Sequence, residues 1–432
     1  MELAAALIAQ HFRQSDGELC LGGVGIRDVV ERFGTPLFVY DFEVIDRKWN
    51  VLRRTLPAAF SIAYSMKANP NLEVVRYMLS KGADLEVASG GELLLALAAG
   101  CEPARVLFAG PGKLESELEL ALSRGIGEVH VESALEARRI LQIATRLGVR
   151  ARTGLRVNPA TETQGGAMRM GGKPAPFGVD EEDLETVLDL LTASPASEFR
   201  GLHIFTGTQI LDHAVLARQY RGGLEIARRV AKRIGSPLAT LDFGGGLGIP
   251  YFPSEAELDM VALREDLDGL MAEITADPLL AGTRLMVEPG RYLIGEAGVY
   301  VARINDIKLS RGKTFYILDG GMNHHLAASG NLGQVIKRNF PIGILNRLAE
   351  PATQRVDVVG PLCTPLDTLA RDAVLPVARV GDLVGVFQSG AYGLTASPVE
   401  FLSHPTPPEV LVGRGEARVI RRRGSWTGTA GP

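Results

Sequence analysis

One lysine in this sequence stands where amine chemistry is possible. Lys67 lies near the end of the segment FSIAYSMKANPN, residues 60–71, in which Asn69, Pro70 and Asn71 break an apolar strand. A lysine at the mouth of a buried strand is partly desolvated, which favours its neutral amine. A neutral amine can attack a carbonyl carbon and form a Schiff base. The alternative is a lysine that extends from a strand end into solvent.

Three consecutive glycines indicate a second chemical feature, an anion site. Gly244, Gly245 and Gly246 follow the apolar residues of LDFGGGLG. Without side chains in the way, backbone N–H groups in such a turn can converge on an anion such as a phosphate. A simple strand-to-helix turn is the alternative.

Two further residues suit an aromatic cofactor. Glu288, in VEPGR, can accept a hydrogen bond from a protonated ring nitrogen and so keep a pyridinium electron-poor. His203, inside an apolar strand, has a flat imidazole that can stack on such a ring, and Thr206 can then bond a phosphate. The alternatives are a surface salt bridge between Glu288 and Arg291, and a histidine of the core.

The last third of the chain adds a thiol and a phenol. Cys363 lies in the proline-flanked segment GPLCTPLD, where its thiol can donate a proton, although a small buried hydrophobe is the alternative. Tyr392, in QSGAYG, can reach a phosphate through its hydroxyl. The adjacent His324 and His325 would point to opposite faces of an extended segment. We therefore expect no metal site.

The elements that must position these residues alternate between strand and helix. Eight apolar strand candidates have a helical stretch in every gap, which favours a (β/α)8 barrel over a doubly wound sheet. Barrel enzymes place their sites at the carboxyl ends of the strands, where the motifs above fall. The predicted strands are Ala63–Met66, Leu85–Ala88, Val106–Phe108, Glu128–Val131, Thr153–Val157, Gly201–Phe205, Thr240–Phe243 and Arg284–Val287.

The remainder of the chain predicts a second, β-rich domain. From about residue 291 the alternation is lost, and short strands, glycines and prolines dominate. The N-terminal strand TPLFVY has no barrel partner and is expected to join this domain. We predict a barrel over 40–290 and a β-rich domain from 1–39 and 291–432. Thr161–Phe177, rich in Gly, Met and Pro, is expected to form a long loop and a candidate lid.

Composition narrows the class of protein. The formal net charge of −4 gives no reason to expect nucleic-acid binding. Three cysteines, sparse and odd in number, favour a reduced, cytoplasmic setting. No apolar run is long enough to span a membrane.

The motifs together resemble a known family over about residues 18–415. YSMKAN, EVASGGEL, GLRVNP, HIFTGTQ, LDFGGGLG, VEPGRY, GPLCTPLD and QSGAYG occur in the order found in fold-type III pyridoxal-phosphate decarboxylases. That group includes the diaminopimelate, ornithine and arginine decarboxylases. Within it, MGGKPAPFGVD and DGGMNHHLAASGN are similar to the carrier-protein glutamyl decarboxylase of the butirosin pathway and to exosortase-associated decarboxylase-like proteins.

The resemblance implies pyridoxal 5'-phosphate as the cofactor and assigns the catalytic roles. It implies that Lys67 forms the Schiff base, that His203 stacks on the ring and that Glu288 pairs with the ring nitrogen. Cys363 would come from the second subunit of a homodimer with shared active sites and protonate the carbanion. The other residues implied at the cofactor site are Glu86, Thr206, Gly244, Gly245, Gly246, Gly290, Arg291 and Tyr392, with Arg156 and Glu92 as supporting charges.

Departures from the family concern the substrate. Diaminopimelate and ornithine decarboxylases carry an acidic residue directly after the catalytic cysteine, where this chain has Thr364, while Asp367 matches a second acidic position. An arginine of the diaminopimelate enzyme is missing from the segment that begins at His324. Thr364, Asp367 and His324 are thus the candidate substrate residues.

The favoured hypothesis is decarboxylation at the α-carbon of an amino acid that is tethered to an acyl carrier protein. The alternatives are a decarboxylase of a free amino acid such as diaminopimelate, a non-catalytic decarboxylase-like regulator, and a racemase on a related barrel. Retention of Lys67 and Cys363 speaks against the regulator, and the Cys363 loop speaks against the racemase.

Overall fold

The chain forms two compact units in the computed structural model, which describes residues 2–160, 168–169, 174–334 and 336–425. The barrel unit comprises Asn50–Ile249 and Glu257–Gly290. The β-rich unit comprises Met1–Trp49, Pro250–Ala256 and Arg291–Pro432. The domain limits expected from the sequence, at 40 and 290, stay a prediction.

Eight parallel strands close the barrel unit, which confirms the predicted fold class. Strand β8 pairs with β1, with Leu285 opposite Phe60, and every other neighbouring pair is also parallel. The three strands β3, β4 and β8 have the predicted bounds. The strands are β1 Phe60–Ser65, β2 Asp84–Val87, β3 Val106–Phe108, β4 Glu128–Val131, β5 Ala151–Asn158, β6 Ser197–Ile204, β7 Thr240–Asp242 and β8 Arg284–Val287.

Helices fill the gaps between the strands, and polar residues fix where they begin. The side chains of Asn71, Ser89, Ser133 and Asp212 each accept a hydrogen bond from a backbone N–H in the first turn. Helix Phe42–Thr55 precedes β1. The helices between strands are α1 Leu72–Ser80, α2 Gly90–Ala98, α3 Glu115–Arg124, α4 Ala134–Leu147, α5 Leu184–Ala193, α6 His213–Ile234 and α7 Met260–Ala276.

The β-rich unit is organised by one long strand, Gly298–Ser310. Its first half pairs on one side with Leu37–Asp41 and on the other with Leu383–Val386, and its second half pairs with Lys313–Leu318. Leu37–Asp41 also pairs with Glu409–Gly413. The N-terminal strand therefore joins the C-terminal strands, as predicted.

Several elements of the β-rich unit were not predicted as strands. These are Ile342–Ile344, Thr368–Leu375 and Glu416–Arg421. The remaining strands are Arg13–Ser15, Glu18–Leu21, Val24–Gly25 and Gln354–Val359, and the helices are Glu2–His11, Ile26–Phe33 and Arg291–Ile294.

The predicted lid falls largely outside the described residues. Within Thr161–Phe177, residues 161–167 and 170–173 are not described, and Met168–Arg169 pairs antiparallel with Gly207–Thr208. In the described part of the chain, no helix combines the length and apolar character needed to cross a membrane.

Candidate active site

Lys67 stands in a single 3-10 turn, Met66–Ala68, directly after β1. Its Nζ lies 2.8 Å from Oε2 and 3.0 Å from Oε1 of Glu86. Glu86 lies on the neighbouring strand β2 and is 1% exposed. The Lys67 side chain itself is 46% exposed. Deep burial therefore does not set the environment of this amine, which lies against the Glu86 carboxylate instead. The partner of Lys67, rather than its burial, is what makes the site distinctive.

Glu92, expected to support the site, closes the start of helix α2. Its Oε2 accepts the backbone N–H of Ala88 at 2.8 Å, while its own N–H donates to Ser89 Oγ at 3.1 Å. The Ser89 side chain thus caps helix α2, while the Glu92 side chain holds the backbone just before that cap, so the two bonds fix the turn between β2 and α2.

His203 and Glu288 meet inside the barrel. His203 Nε2 lies 3.3 Å from Glu288 Oε2, and the two residues are 2% and 5% exposed. Burial excludes a surface salt bridge for Glu288. In the described chain neither ring nitrogen of His203 has a hydrogen-bond partner, so His203 is not a satisfied core histidine either. Burial lowers the pKa of His203.

Asp242, which sequence reasoning missed, is the second carboxyl group at this point. It ends β7 and is fully buried, close enough to Glu288 for the two carboxyl groups to interact electrostatically. Burial and the Glu288 carboxylate raise the pKa of Asp242 well above its ordinary value. Burial also opposes ionisation of Glu288, but His203, His130 and Lys67 hold its pKa well below the usual range. Of the two carboxyl groups, Asp242 is therefore the one whose ionisation is opposed.

The glycine turn is built as the sequence suggests for an anion site. Gly244 and Gly246 have φ of +68° and +104°, and Gly244 N–H donates to Asp242 Oδ1 at 2.7 Å. A Cβ on Gly245 would lie 2.8 Å from the carbonyl oxygen of Glu288, so only glycine fits. In the part of the chain that the structure describes, the N–H groups of Gly245 and Gly246 have no acceptor.

Three more expected residues of the barrel unit lie at the carboxyl ends of its strands. Thr206 is buried two residues beyond β6. A Cβ on Gly290 would lie 2.8 Å from Ala68 Cβ, so the segment after β8 packs closely on the Lys67 turn. Arg156 NH1 donates to Oε1 of buried Glu132 at 2.8 Å. Glu132, a residue not singled out from the sequence, thereby balances the charge of Arg156.

Arg291 and Tyr392 lie together within the β-rich unit. The Arg291 guanidinium carbon is 4.7 Å from the centroid of the Tyr392 ring, and NH1 donates to the Tyr251 hydroxyl at 2.9 Å. Tyr392 has φ of +54°, which is uncommon for an aromatic residue and marks a fixed loop conformation. No motif in the sequence singled out Tyr251.

In the loop that contains Cys363, the thiol of Cys363 is exposed and the carboxyl group of Asp367 is buried. Cys363 is exposed, so the alternative of a small core residue was wrong, and Thr364 is half-buried. Asp367 is 2% exposed, and its two oxygens accept the N–H groups of Met322 at 2.6 Å and Leu362 at 2.9 Å. The Asp367 carboxylate is therefore committed to joining two loops.

His324 is also enclosed rather than open to a substrate. It is 2% exposed, its Nδ1 lies 3.3 Å from the Tyr300 hydroxyl, and its Nε2 lies 3.1 Å from the side-chain nitrogen of Asn323. Burial lowers the pKa of His324 to about 4, so it is neutral at pH 7. The tentative assignment of His324 and Asp367 as substrate-binding charges is not favoured by these positions.

Comparison with known proteins identifies the family. Residues 42–295 match the family model described as pyridoxal-dependent decarboxylase, pyridoxal binding domain. The chain is 38% identical to the L-glutamyl-[BtrI acyl-carrier protein] decarboxylase of Niallia circulans, over 93% of this chain and 94% of that one. It is 32% identical to the diaminopimelate decarboxylase of Aquifex aeolicus, over 95% and 94% of the two chains.

A solved structure agrees with this relationship. The crystal structure of diaminopimelate decarboxylase from M. jannaschi superposes with a TM-score of 0.89, at 25% identity, over 97% of this chain and 96% of that one. Two relatives above 30% identity over nearly the whole chain, and a family model over more than half of it, lead to one conclusion. The chain belongs to the pyridoxal-dependent decarboxylase family.

Proposed function

We propose that this enzyme removes the α-carboxylate of an amino acid that is held as a thioester or amide on an acyl carrier protein, and that it works as a homodimer. The family supplies the decarboxylase chemistry. The carrier-protein substrate is supported by the 38% identical relative, whose name states such a substrate. The diaminopimelate relatives support a free amino acid as the second candidate.

The choice between these substrates rests on one observation: the Asp367 carboxylate is already occupied by hydrogen bonds from the backbone. It is the only acidic side chain between Gly360 and Asp367, and both of its oxygens already accept backbone N–H groups. A distal ammonium would need an uncommitted carboxylate in this loop, since a buried unpaired charge is costly. Thr364, next to Cys363, suits a neutral distal end such as the amide or thioester of a carried substrate.

The residues present fit pyridoxal phosphate. Glu288 Oε1, buried and without a hydrogen-bond partner among the described residues, suits a protonated ring nitrogen. The N–H groups of Gly245 and Gly246 suit a phosphate. When bound, the cofactor supplies an electron-poor ring that accepts the electron pair released as CO2 leaves. We propose that the phosphate is held, within the barrel unit, by the glycine turn together with Thr206 and Gly290.

Different residues of the chain would then accept, hold and deliver protons. Lys67 would hold the cofactor through its amine, and Glu86, 2.8 Å from Nζ, would take up the proton that the ammonium must first lose. Glu288 would keep the ring nitrogen protonated, and Asp242, whose ionisation is opposed by burial and by Glu288, would leave Glu288 as the charged carboxylate of the two. His203 would lie against the ring face. Cys363 would deliver a proton to the α-carbon.

The position of Cys363 supports the proposed shared active site. Its thiol is exposed on the same loop as Leu366, an apolar side chain that is 49% exposed, as expected of a loop that reaches a second copy. All three cysteines are free, which is consistent with the proposed cytoplasmic location.

The substrate test compares free and carried amino acids. The cofactor-loaded enzyme is incubated with L-glutamyl-acyl carrier protein and, separately, with free L-glutamate, L-ornithine, L-lysine and diaminopimelate, and CO2 release is followed. We expect release only from the carried substrate. Turnover of free diaminopimelate or of basic amino acids alone would refute the carrier-protein proposal and leave the decarboxylase chemistry intact.

Two controls separate the remaining classes. Lys67→Ala is expected to abolish CO2 release and the absorbance of the bound cofactor. A wild-type chain that stays colourless with added pyridoxal phosphate would favour a non-catalytic regulator. Appearance of the D-amino acid without CO2 would favour a racemase.

The homodimer is tested by mixing two inactive variants. If each site takes Lys67 from one copy and Cys363 from the other, unfolding and refolding Lys67→Ala with Cys363→Ala should restore about a quarter of the wild-type activity. No recovery, although sedimentation shows mixed dimers, would place Lys67 and Cys363 of the same copy in one site.

A further inference from the structure

A column of ionisable side chains occupies part of the barrel interior below the site. Glu128 and His130 project inward from β4, His203 from β6, and Glu288 follows β8. They are 2%, 0%, 2% and 5% exposed. Burying four ionisable groups is costly, and a barrel interior is ordinarily filled by branched apolar side chains. The free-energy cost of burying these four groups suggests that they serve a chemical role.

The members of the column are in direct contact. Glu128 Oε1 lies 3.4 Å from His130 Nε2, the imidazole rings of His130 and His203 lie 4.4 Å apart at 35°, and His203 Nε2 lies 3.3 Å from Glu288 Oε2. One nitrogen of each histidine and one oxygen of Glu288 all lie within 4.8 Å of one another. Two facing imidazoles therefore stand between two carboxylates.

A glycine on the neighbouring strand leaves the space that Glu128 and His130 occupy. A Cβ on Gly154, on the neighbouring strand β5, would lie 2.0 Å from Glu128 Oε1 and 3.0 Å from a His130 ring carbon. Thr240 Oγ1 donates to Glu128 Oε2 at 2.9 Å, which leaves Oε1 directed at His130. Glu128 also lines a cavity of about 260 Å³ at the amino ends of the strands.

Elementary electrostatics determines how such a column is charged. Two imidazolium rings 4.4 Å apart in a buried site repel strongly, so the histidine pair holds at most one proton. Each carboxylate attracts that proton to the ring nearest to it. Glu128 favours the proton on His130, whereas Glu288 favours it on His203.

We propose that Glu128 and His130 are positioning residues that draw the shared proton away from His203, so that His203 is neutral where it faces the cofactor ring. This proposal rests on the proposed function, because a neutral imidazole is what an electron-poor pyridinium can stack against. A cationic His203 would repel the ring that Glu288 keeps protonated. In agreement with this, burial lowers the pKa of His203 despite the opposing effect of Glu288, and His130 acts in the same direction as burial.

Other charges face the column, and the test must hold them constant. Asp242 lies near Glu288 and interacts with it electrostatically, Arg156 acts on His203, Lys67 acts on Glu288, and Lys113 Nζ donates to the backbone carbonyl of His130 at 2.7 Å. At the lower end, the cavity beside Glu128 is also lined by Glu198, Arg152, Arg200 and Arg284. None of these groups is altered in the variants below.

The experiment uses the full chain without cofactor, so it does not depend on enzymatic turnover. Ring nitrogens of ¹⁵N-histidine-labelled protein are followed by NMR between pH 5 and 8.5, with His130 and His203 assigned through His130→Asn and His203→Asn. We expect His130 to take up its proton at a higher pH than His203. In Glu128→Gln the order should reverse, with the His203 midpoint raised by about one pH unit.

The matched control is Thr240→Val, which removes the hydroxyl that donates to Glu128 but keeps the carboxylate charge. It should leave the order of protonation unchanged. Reversal in Thr240→Val as well would mean that local geometry, and not the Glu128 charge, sets the order. Protonation of His203 first in the wild-type protein, or an unchanged order in Glu128→Gln, would equally refute the proposal.

His130→Asn provides a second readout if Glu128→Gln does not fold. With one ring left beside Glu288, His203 should protonate at a higher pH than in the wild type, and the apparent Kd for pyridoxal phosphate should rise up to about tenfold at pH 6 but little at pH 8.5. A Kd that rises equally at both pH values would indicate a packing role and refute the proposal. Failure of the wild-type chain to bind the cofactor would refute the proposed function while leaving the NMR result standing.

Discussion

Replacing Lys48 by methionine should destabilise the β-rich unit through a single buried charge. Lys48 Nζ lies 2.5 Å from Oε2 of Glu296, whose side chain is 0% exposed, and 4.0 Å from the centroid of the Tyr292 ring. His11 Nε2, on the N-terminal helix, lies 3.5 Å from the other Glu296 oxygen. Methionine keeps most of the volume of lysine, so the substitution removes chiefly the charge that compensates Glu296.

The magnitude follows from the pKa of Glu296. Burial opposes its ionisation, yet His11 and Lys48 lower the pKa to about 2, against an ordinary value of 4.5. At 1.36 kcal/mol per pH unit, this difference corresponds to about 3 kcal/mol of stability. Breaking a buried ion pair by removal of one partner costs a similar ~3–5 kcal/mol. We therefore expect Lys48→Met to lower the free energy of unfolding by about 3 kcal/mol at pH 7.

The sign of the pH dependence is fixed by the same values. Because the folded pKa of Glu296 is lowered, its contribution is present above the pKa of the unfolded carboxyl, near 4.5, and is lost as the pH falls toward 2. The difference between wild type and Lys48→Met should accordingly shrink as the pH is lowered from 5 to 3.

Urea unfolding followed by tryptophan fluorescence measures this directly. Trp49 is 7% exposed and adjacent to Lys48, and a Trp426→Phe background removes the other tryptophan. The double variant Lys48→Met/Glu296→Leu should recover most of the loss, since it leaves no unpaired carboxylate. A loss below about 1 kcal/mol at pH 7, or a loss that does not change with pH, would refute the assigned role of the pair.

Three further outcomes are expected. Gly201→Ala should cost at least about 3 kcal/mol in chemical unfolding, because its Cβ would lie 1.7 Å from a backbone oxygen of the neighbouring strand, whereas Gly222→Ala, with nothing within 4 Å, should be neutral or slightly stabilising. Gly245→Ala should weaken pyridoxal-phosphate binding, followed by absorbance, at least about tenfold, since its Cβ meets a backbone oxygen at 2.8 Å. Glu86→Gln should slow the appearance of the bound-cofactor absorbance, because it removes the carboxylate that lies 2.8 Å from Lys67 Nζ; an unchanged rate would exclude Glu86 as the group that receives the lysine proton.

The barrel was predictable because its signals are local. Apolar strand runs, capping residues such as Ser89 and Ser133, and helices of regular length repeat within short windows of sequence. Short strands such as Ile342–Ile344 carry too little periodicity to stand out, and they form because partner strands pair with them.

The sequence allowed a prediction only for those site residues that lie within one contiguous motif. The glycine turn and Lys67 lie within contiguous motifs, but the contact between His130 and His203 depends on how β4 and β6 face each other across the barrel. Asp367 looked available from sequence because its partners Met322 and Leu362 are set by loop packing. Glu128 and His130 in EVHV are two polar residues spaced two apart on a strand. This spacing could have predicted that both side chains lie on the same face.

The pairing of Leu37–Asp41 has a consequence for the order of events during synthesis. This strand emerges early from the ribosome, but its neighbour Glu409–Gly413 is translated roughly 370 residues later, which at ~5–20 residues per second is a delay of roughly 20 to 70 s. The barrel strands, by contrast, all lie between Phe60 and Val287 and are complete long before that. Even after Gly298–Ser310 has paired with one edge of Leu37–Asp41, the other edge must therefore wait for its partner, and an unpaired strand edge is a surface that chaperones protect from aggregation.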